Sequence, residues 1–201
     1  METFDAIKKR RSVKHYDPNH KLTNDEIEKI MSLAVLSPTS FNMQNWRFVL
    51  VKDPEIRKQI RAASWDQVQV TDASLLIVIC ADLKAWKENP IQYWKNVPKE
   101  AQDFLVSAMG PFYEGNDQLQ RDEAMRSCGI AAQTIMLTGK AMGYDSNPMI
   151  GFEPEKVAKI INLPDNHIIS MMMVIGKQIQ PPMPRGGQLS LDKVVFTDRF
   201  S

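Results

Sequence analysis

Residues 74–80, Ser-Leu-Leu-Ile-Val-Ile-Cys, and residues 168–175, broken only by Ser170, are the two long apolar runs of this chain. A strand with one wet face alternates polar and apolar side chains. A continuous apolar strand has to be covered on both faces. Both runs are far shorter than the roughly 20 residues that span a bilayer, so they belong inside a water-facing protein. Whatever the chain builds, it is a sheet core with helices laid over it, of the α+β or α/β class.

The helical signals fall between these strands. Over 3–9, Phe4 and Ile7 share a face, Thr3 stands where a cap would, and basic residues close the segment. Thr23 or Asn24 caps a second helix, in which Ile27, Ile30, Met31, Ala34 and Val35 recur at helical spacing. Ser37-Pro38 stops it, because the residue before a proline is pushed out of the helical region. Residues 47–52 read as a strand, and Asp53-Pro54-Glu55 as a helix start. Residues 82–120 form a polar excursion with one helix near 99–109. A long helix is expected over 122–142, with Gly129, Ala131 and Gly139 small enough to admit a close neighbour. Further on, 153–161 reads as a helix and 167–176 as a strand. A proline- and glycine-rich arm then ends in a strand-like 193–197. No internal repeat or linker interrupts this, so 1–201 reads as one domain whose arm lacks a core of its own and suits a partner subunit.

Charge and motif content narrow the function classes. The 25 Lys+Arg against 24 Asp+Glu leave a net charge of +1, which argues against nucleic-acid or membrane-surface binding by bulk charge. Cys80 and Cys128 sit in apolar settings without CxxC spacing, so neither a zinc site nor a disulfide framework is expected. His15, His20 and His167 are scattered and suggest no metal site. The N-terminus has charge but no apolar leader stretch, so a soluble, cytoplasmic protein is expected. GxGxxG, P-loop, HExxH and GxSxG are all missing. The chain advertises no side-chain catalyst, and an enzyme built on it would take its chemistry from a cofactor.

Four segments carry binding potential. Arg10-Arg11-Ser12-Val13-Lys14 offers two planar guanidiniums, a hydroxyl and an ammonium, which suits a phosphate and equally suits a solvated basic turn. Residues 37–46, SPTSFNMQNW, crowd short hydrogen-bonding side chains around an aromatic, as a heterocycle edge or a plain turn would want. Asn147-Pro148-Met149-Ile150-Gly151-Phe152 combines a fixed proline with a glycine that allows close backbone approach, and also fits a helix-to-helix connector. Pro184-Arg185-Gly186-Gly187 places a lone arginine in a stiff tail.

Taken in order, KKRRSVKHYD, LAVLSPTSFNMQNWRF, QVQVTDASLLIVIC, NPMIGF and GKQIQPPMPR resemble the nitroreductase family of FMN-dependent oxidoreductases, over about residues 3–197. The resemblance implies an α+β, three-layer sandwich: a mixed sheet flanked by helices, in a homodimer whose C-terminal arms are exchanged. It implies FMN at the dimer interface and NADH or NADPH as a transient electron donor. A ping-pong hydride transfer through flavin N5 to a nitroaromatic, quinone or similar small-molecule acceptor would follow. Relatives that reduce an aldehyde or enone, and a flavin-binding protein without turnover, are the alternatives within the same fold.

Carried over by position, the resemblance puts Arg10, Ser12 and Arg185 on the FMN phosphate, with Arg11 nearby and Lys14 toward the ribityl and pyrimidine edge. Pro38, Thr39, Ser40 and Asn42 would reach the flavin from the other subunit. Gln67 and Gln69 would address the pyrimidine carbonyls. Pro148 and Met149 would cover one side of the ring system, and the amides of Ile150 and Gly151 would approach N5. Ile150 stands where one branch has glutamate, and Gln69 where it has lysine, which bears on flavin potential more than on binding. Trp86, Trp94, Phe104, Phe112 and Tyr113 of the excursion would either lid the acceptor seat or form an interface cluster.

Overall fold

The two apolar runs become the central strands of a four-stranded sheet, seen here in a computed structural model that describes residues 1–200. In chain order the elements are α1 (Thr3–Lys9), α2 (Asn24–Ala34), β1 (Trp46–Leu50), α3 (Pro54–Ala62), α4 (Gln69–Asp72) and β2 (Leu75–Asp82). They continue with α5 (Lys99–Tyr113), α6 (Asp117–Ala141), β3 (Asp145–Met149), α7 (Pro154–Ile160) and β4 (His167–Gly176). The strands lie in the order β1-β2-β4-β3. β2 is buried at every position.

Alternation along β2 divides the core in two. Leu75, Ile77 and Ile79 point into one cluster with Ile30, Ala34, Cys128, Ala132 and Ile135 of α2 and α6. Leu76, Val78 and Cys80 point into the other with Ile60, Val157 and Val174, against α3 and α7. Each fully buried aliphatic side chain there contributes about 1.5–3 kcal/mol over its exposed state. Ser170, the single polar residue of the second run, falls where the register shifts: Ile79 pairs Met171 and Cys80 pairs Ile169. The interruption in the sequence is therefore a β-bulge in the sheet. Both cysteine thiols are buried and free, and burial pushes each up to about 12.

Local chemistry sets the helix starts. Thr23 caps α2 through a reciprocal capping box with Glu26, and Asp53 accepts from the amides of Glu55 and Ile56 ahead of Pro54. The three layers are as expected, but several details differ. The sheet is antiparallel between all four strands, and among the described residues the one parallel contact is the isolated bridge of Ser12 with Ser146. Thr3 does not cap α1; Glu2 occupies that place without a side-chain bond. α5 runs past Gly110-Pro111 to Tyr113, since Met109 and Tyr113, one turn apart, are both buried. α6 begins at Asp117 because Asn116 accepts from the Leu119 amide. Within the chain, Gly139 packs on Ile175 of the sheet. Residues 145–149 are an edge strand, not a connector. The expected strand at 193–197 does not form; a short 3-10 turn, Leu191–Lys193, lies there instead. An extended segment without a neighbouring strand has no ladder to satisfy its amides.

Candidate functional site

A cluster of cations without acids lies along β3, one edge of the sheet. After α1, the chain runs beside β3 through the Ser12–Ser146 bridge and the Val13 amide bond to the Ser146 carbonyl at 3.1 Å. Extended backbone alternates here: Val13 and Tyr16 are buried, while Ser12 and Lys14 face outward. The C-terminal arm folds back over this segment. The Ile179 amide donates to the His15 carbonyl, the Arg11 guanidinium donates to the Met183 carbonyl, and Arg185 Nη2 donates to the carbonyls of Lys8 and Arg10, both at 3.1 Å.

The result is a cleft of about 550 Å³ lined by Arg10, Arg11, Ser12, Lys14 and Arg185, with no carboxylate in its wall. None of these four cations takes part in an ion pair among the described residues. Partial burial, then the fields of Arg185 and Arg11, hold the Arg10 guanidinium below its ordinary value. Two neighbouring guanidiniums thus make the charge on Arg10 costlier, and a polyanion would offset this.

A second group lies further along the same edge. Gly151 is five residues beyond Ser146, on the order of 16 Å at strand rise. The chain leaves α3 through Trp65 and Asp66, both in left-handed backbone, and this sets Trp65 against Gly151. A Cβ at Gly151 would come to 2.7 Å from Trp65 Cζ3 and 3.3 Å from Gln67 Nε2. Gln67 Nε2 donates to the Gly151 carbonyl at 2.7 Å, and Gln69 Nε2 donates to Gln67 Oε1 at 2.8 Å. Ile150 is exposed and Pro148 half-buried, so the backbone at 150–151 is approachable from outside. Met149 departs from expectation: its side chain is buried in the core beneath the sheet, not laid over a cleft.

Pro38, Thr39, Ser40 and Asn42 lie elsewhere. They precede β1, at the opposite edge of the sheet from β3, with β2 and β4 between. At about 4.8 Å per strand, that is on the order of 14 Å of sheet. One chain thus brings together Arg10, Arg11, Ser12, Lys14 and Arg185, and separately Gln67, Gln69, Ile150 and Gly151, but not the 38–42 loop. Another cleft of about 390 Å³, beside Arg57 and Lys52, contains none of the predicted residues.

Two residues escaped the sequence reading. Trp65 walls Gly151, and no spacing rule signals it because the contact depends on a left-handed turn. Ser146 Oγ is buried without a partner beside the cation cluster. Its position next to Ser12 is a product of sheet pairing.

This edge thus presents acid-free cations at one end, suited to an anion, and at the other a glycine walled closely by Trp65 beside a chain of bonded glutamine amides. The sequence model of the "Nitroreductase family" matches residues 7–177, and the chain belongs to that family. It is 53% identical over 180 residues to Protein DrgA of Synechocystis, covering 90% of this chain and 86% of that protein. It is 29% identical over 202 residues to the oxygen-insensitive NADPH nitroreductase of Helicobacter pylori, covering 94% of each. A protein of Exiguobacterium sibiricum, solved in complex with FMN, superposes with a TM-score of 0.91 at 28% identity, over 98% of this chain and 97% of the other. Among the described residues no helix is long and apolar enough to cross a membrane.

Proposed function

We propose that this chain is an NAD(P)H-dependent FMN oxidoreductase, two copies of which form a homodimer with two cofactor sites. When bound, FMN supplies two-electron hydride chemistry at N5, linking NADH or NADPH in alternation to a nitroaromatic, quinone or similar small-molecule acceptor. Arg10, Arg11, Ser12, Lys14 and Arg185 hold the phosphate end. Charge-assisted bonds from a guanidinium are about twice as strong as neutral ones, so this end carries most of the affinity. Gln67 and Gln69 fix the polar edge of the ring system, and the close approach at Gly151 orients the 150–151 amides toward it. No side chain acts as a nucleophile; the protein's work is to bind, orient and keep one ring face open for donor and acceptor in turn.

The observation that carries this reading is the cleft of unpaired cations along β3. The family likeness, and the NADPH nitroreductase and FMN-complexed relatives, support the donor and cofactor classes. Two observations support the homodimer. The loop at 38–42 lies across the sheet from the cleft it is expected to complete. The arm also exposes Met183, Leu189, Leu191, Val194 and Phe200, more apolar surface than a free tail ordinarily presents. The test is the visible spectrum of the purified protein under anaerobic conditions, before and after NADH and then NADPH. A yellow protein bleached by either donor and recoloured by a quinone is expected. A colourless protein that also refuses added FMN would contradict the reading.

A further inference from the structure

The loop before β1 is held in a conformation its own residues disfavour. Phe41, Asn42 and Gln44 all adopt left-handed backbone, with φ of 50°, 48° and 44°. Asparagine tolerates this region; phenylalanine and glutamine do so poorly. Such a loop persists only where its surroundings hold it. Here much of the holding comes from the excursion. The Tyr113 hydroxyl donates to Ser40 Oγ at 2.7 Å, and Asn42 Nδ2 donates to the Tyr93 carbonyl at 2.8 Å. From α6, Glu123 Oε1 accepts the Ser40 amide at 3.4 Å.

Tyr113 is itself firmly placed. It is 1% exposed and packs in a small core with Met43, Trp86 and Met109. Its ring stands edge-on to Phe41 at 6.0 Å between centroids. Of the excursion aromatics, then, Trp86 and Tyr113 are core, whereas Phe104 and Phe112 remain exposed. The bond to Tyr113 takes up one hydrogen-bonding position of Ser40 Oγ and so fixes which of the others can face outward. The bond to Tyr93 uses one of the two Asn42 Nδ2 hydrogens and fixes the orientation of that amide.

We infer that Tyr113 is a positioning residue: through its bond to Ser40 it fixes which hydrogen-bonding groups the 38–42 loop presents to the partner's cofactor. This rests on reading Ser40 and Asn42 as cofactor contacts across the dimer, and it gives the excursion a role in tuning the flavin as well as in walling a seat. Tyr113→Phe keeps the ring and removes only the bond. In the full-length protein, FMN affinity, measured by quenching of flavin fluorescence, should fall about three- to tenfold for the loss of one neutral hydrogen bond. The visible band of the bound flavin should shift, which a purely structural role would not produce. Ser40→Ala breaks the same bond from the exposed end and keeps the test open if Tyr113→Phe fails to fold. In the Ser40→Ala background, Tyr113→Phe should change nothing further. Full wild-type affinity and an unmoved band in Tyr113→Phe, or two effects that simply add, would overturn the inference alone. A wild-type protein that takes up no FMN would overturn this inference together with the function it rests on.

Discussion

The two halves of the proposed cofactor site are built by opposite means. Along β3, most of the binding groups are neighbours in sequence: Arg10 and Arg11 follow directly on α1, and Ser12 and Lys14 are set outward by strand alternation around buried Val13. Before β1, the groups are likewise neighbours, but their presentation depends on left-handed backbone and on bonds from Tyr93, Tyr113 and Glu123, 51 to 83 residues away. The first half needs its own chemistry, an edge to lie on and the arm that brings Arg185 back to it. The second needs the whole excursion folded around it. It follows that the cation cluster should tolerate substitutions in the excursion, whereas the loop should feel them.

The largest effect is expected from removing the cluster's charge. Arg10→Ala should weaken FMN binding roughly 10- to 150-fold, corresponding to about 1.5–3 kcal/mol for a bond to a charged group. The loss should grow smaller at high salt, where the wild-type cluster is itself screened. Flavin titration at two ionic strengths checks both points, and the rate of hydride transfer once FMN is saturating should change little. If Arg10→Ala bound FMN as wild type does, the phosphate assignment would be wrong.

Gly151→Ala comes next. The new Cβ would overlap Trp65 Cζ3 at 2.7 Å, and Trp65 is exposed enough to swing away. Stability should therefore change little while FMN affinity falls several-fold, a combination visible by comparing melting with flavin titration. An equal loss in both would mean that Gly151 serves the fold rather than the site. Asn42→Ala sharpens the contrast from the other half. It loses the bond to the Tyr93 carbonyl and puts alanine at φ 48°, so stability should drop by about 1–2 kcal/mol, or roughly 2–8 °C of melting temperature. FMN affinity should fall with it.

How much of this was legible in the sequence differs in the same way. The sheet core could be read because a continuous apolar run has one physical solution, and Ser170 even marked the bulge. Most of the cation cluster could be read because Arg10, Arg11, Ser12 and Lys14 lie together, while Arg185 joins them only through the family resemblance. The burial of the Met149 side chain was not legible, because chemical type does not say which side of a strand a residue occupies; alternation places it in the core. The strand expected at 193–197 failed because strand propensity is only half of a strand, the other half being an edge to pair with. Trp65 stayed invisible, and Tyr113 was visible only as one of the excursion aromatics, because both act through backbone angles and contacts across long sequence distances, which residue type alone does not encode.

The smallest effect serves as a control lying outside both halves. The Tyr144 hydroxyl donates to Glu26 Oε1 at 2.6 Å, and this bond, with those from Thr23, holds the Glu26 carboxyl below its ordinary value. A depressed carboxyl adds stability above its unfolded value near 4.5, and that stability is lost as pH falls through the folded value. The bond pushes Tyr144 up to about 12, so its contribution holds below the usual tyrosine range and is lost as pH rises toward that value. Tyr144→Phe should lower the melting temperature slightly at pH 7, and the deficit should shrink below pH 4.5. FMN affinity should not move.

The central claim, that each cofactor site joins the cation cluster of one chain to the 38–42 loop of another, is tested most directly by subunit complementation. One variant, Arg10→Ala/Arg185→Ala, spoils the cluster; a second, Ser40→Ala/Asn42→Ala, spoils the loop. Each alone should bind FMN poorly. Refolded together, they should form mixed dimers in which one site is intact and the other doubly damaged, restoring wild-type affinity at one FMN per mixed dimer. A mixture that never binds better than its two components would show that each chain builds its site alone.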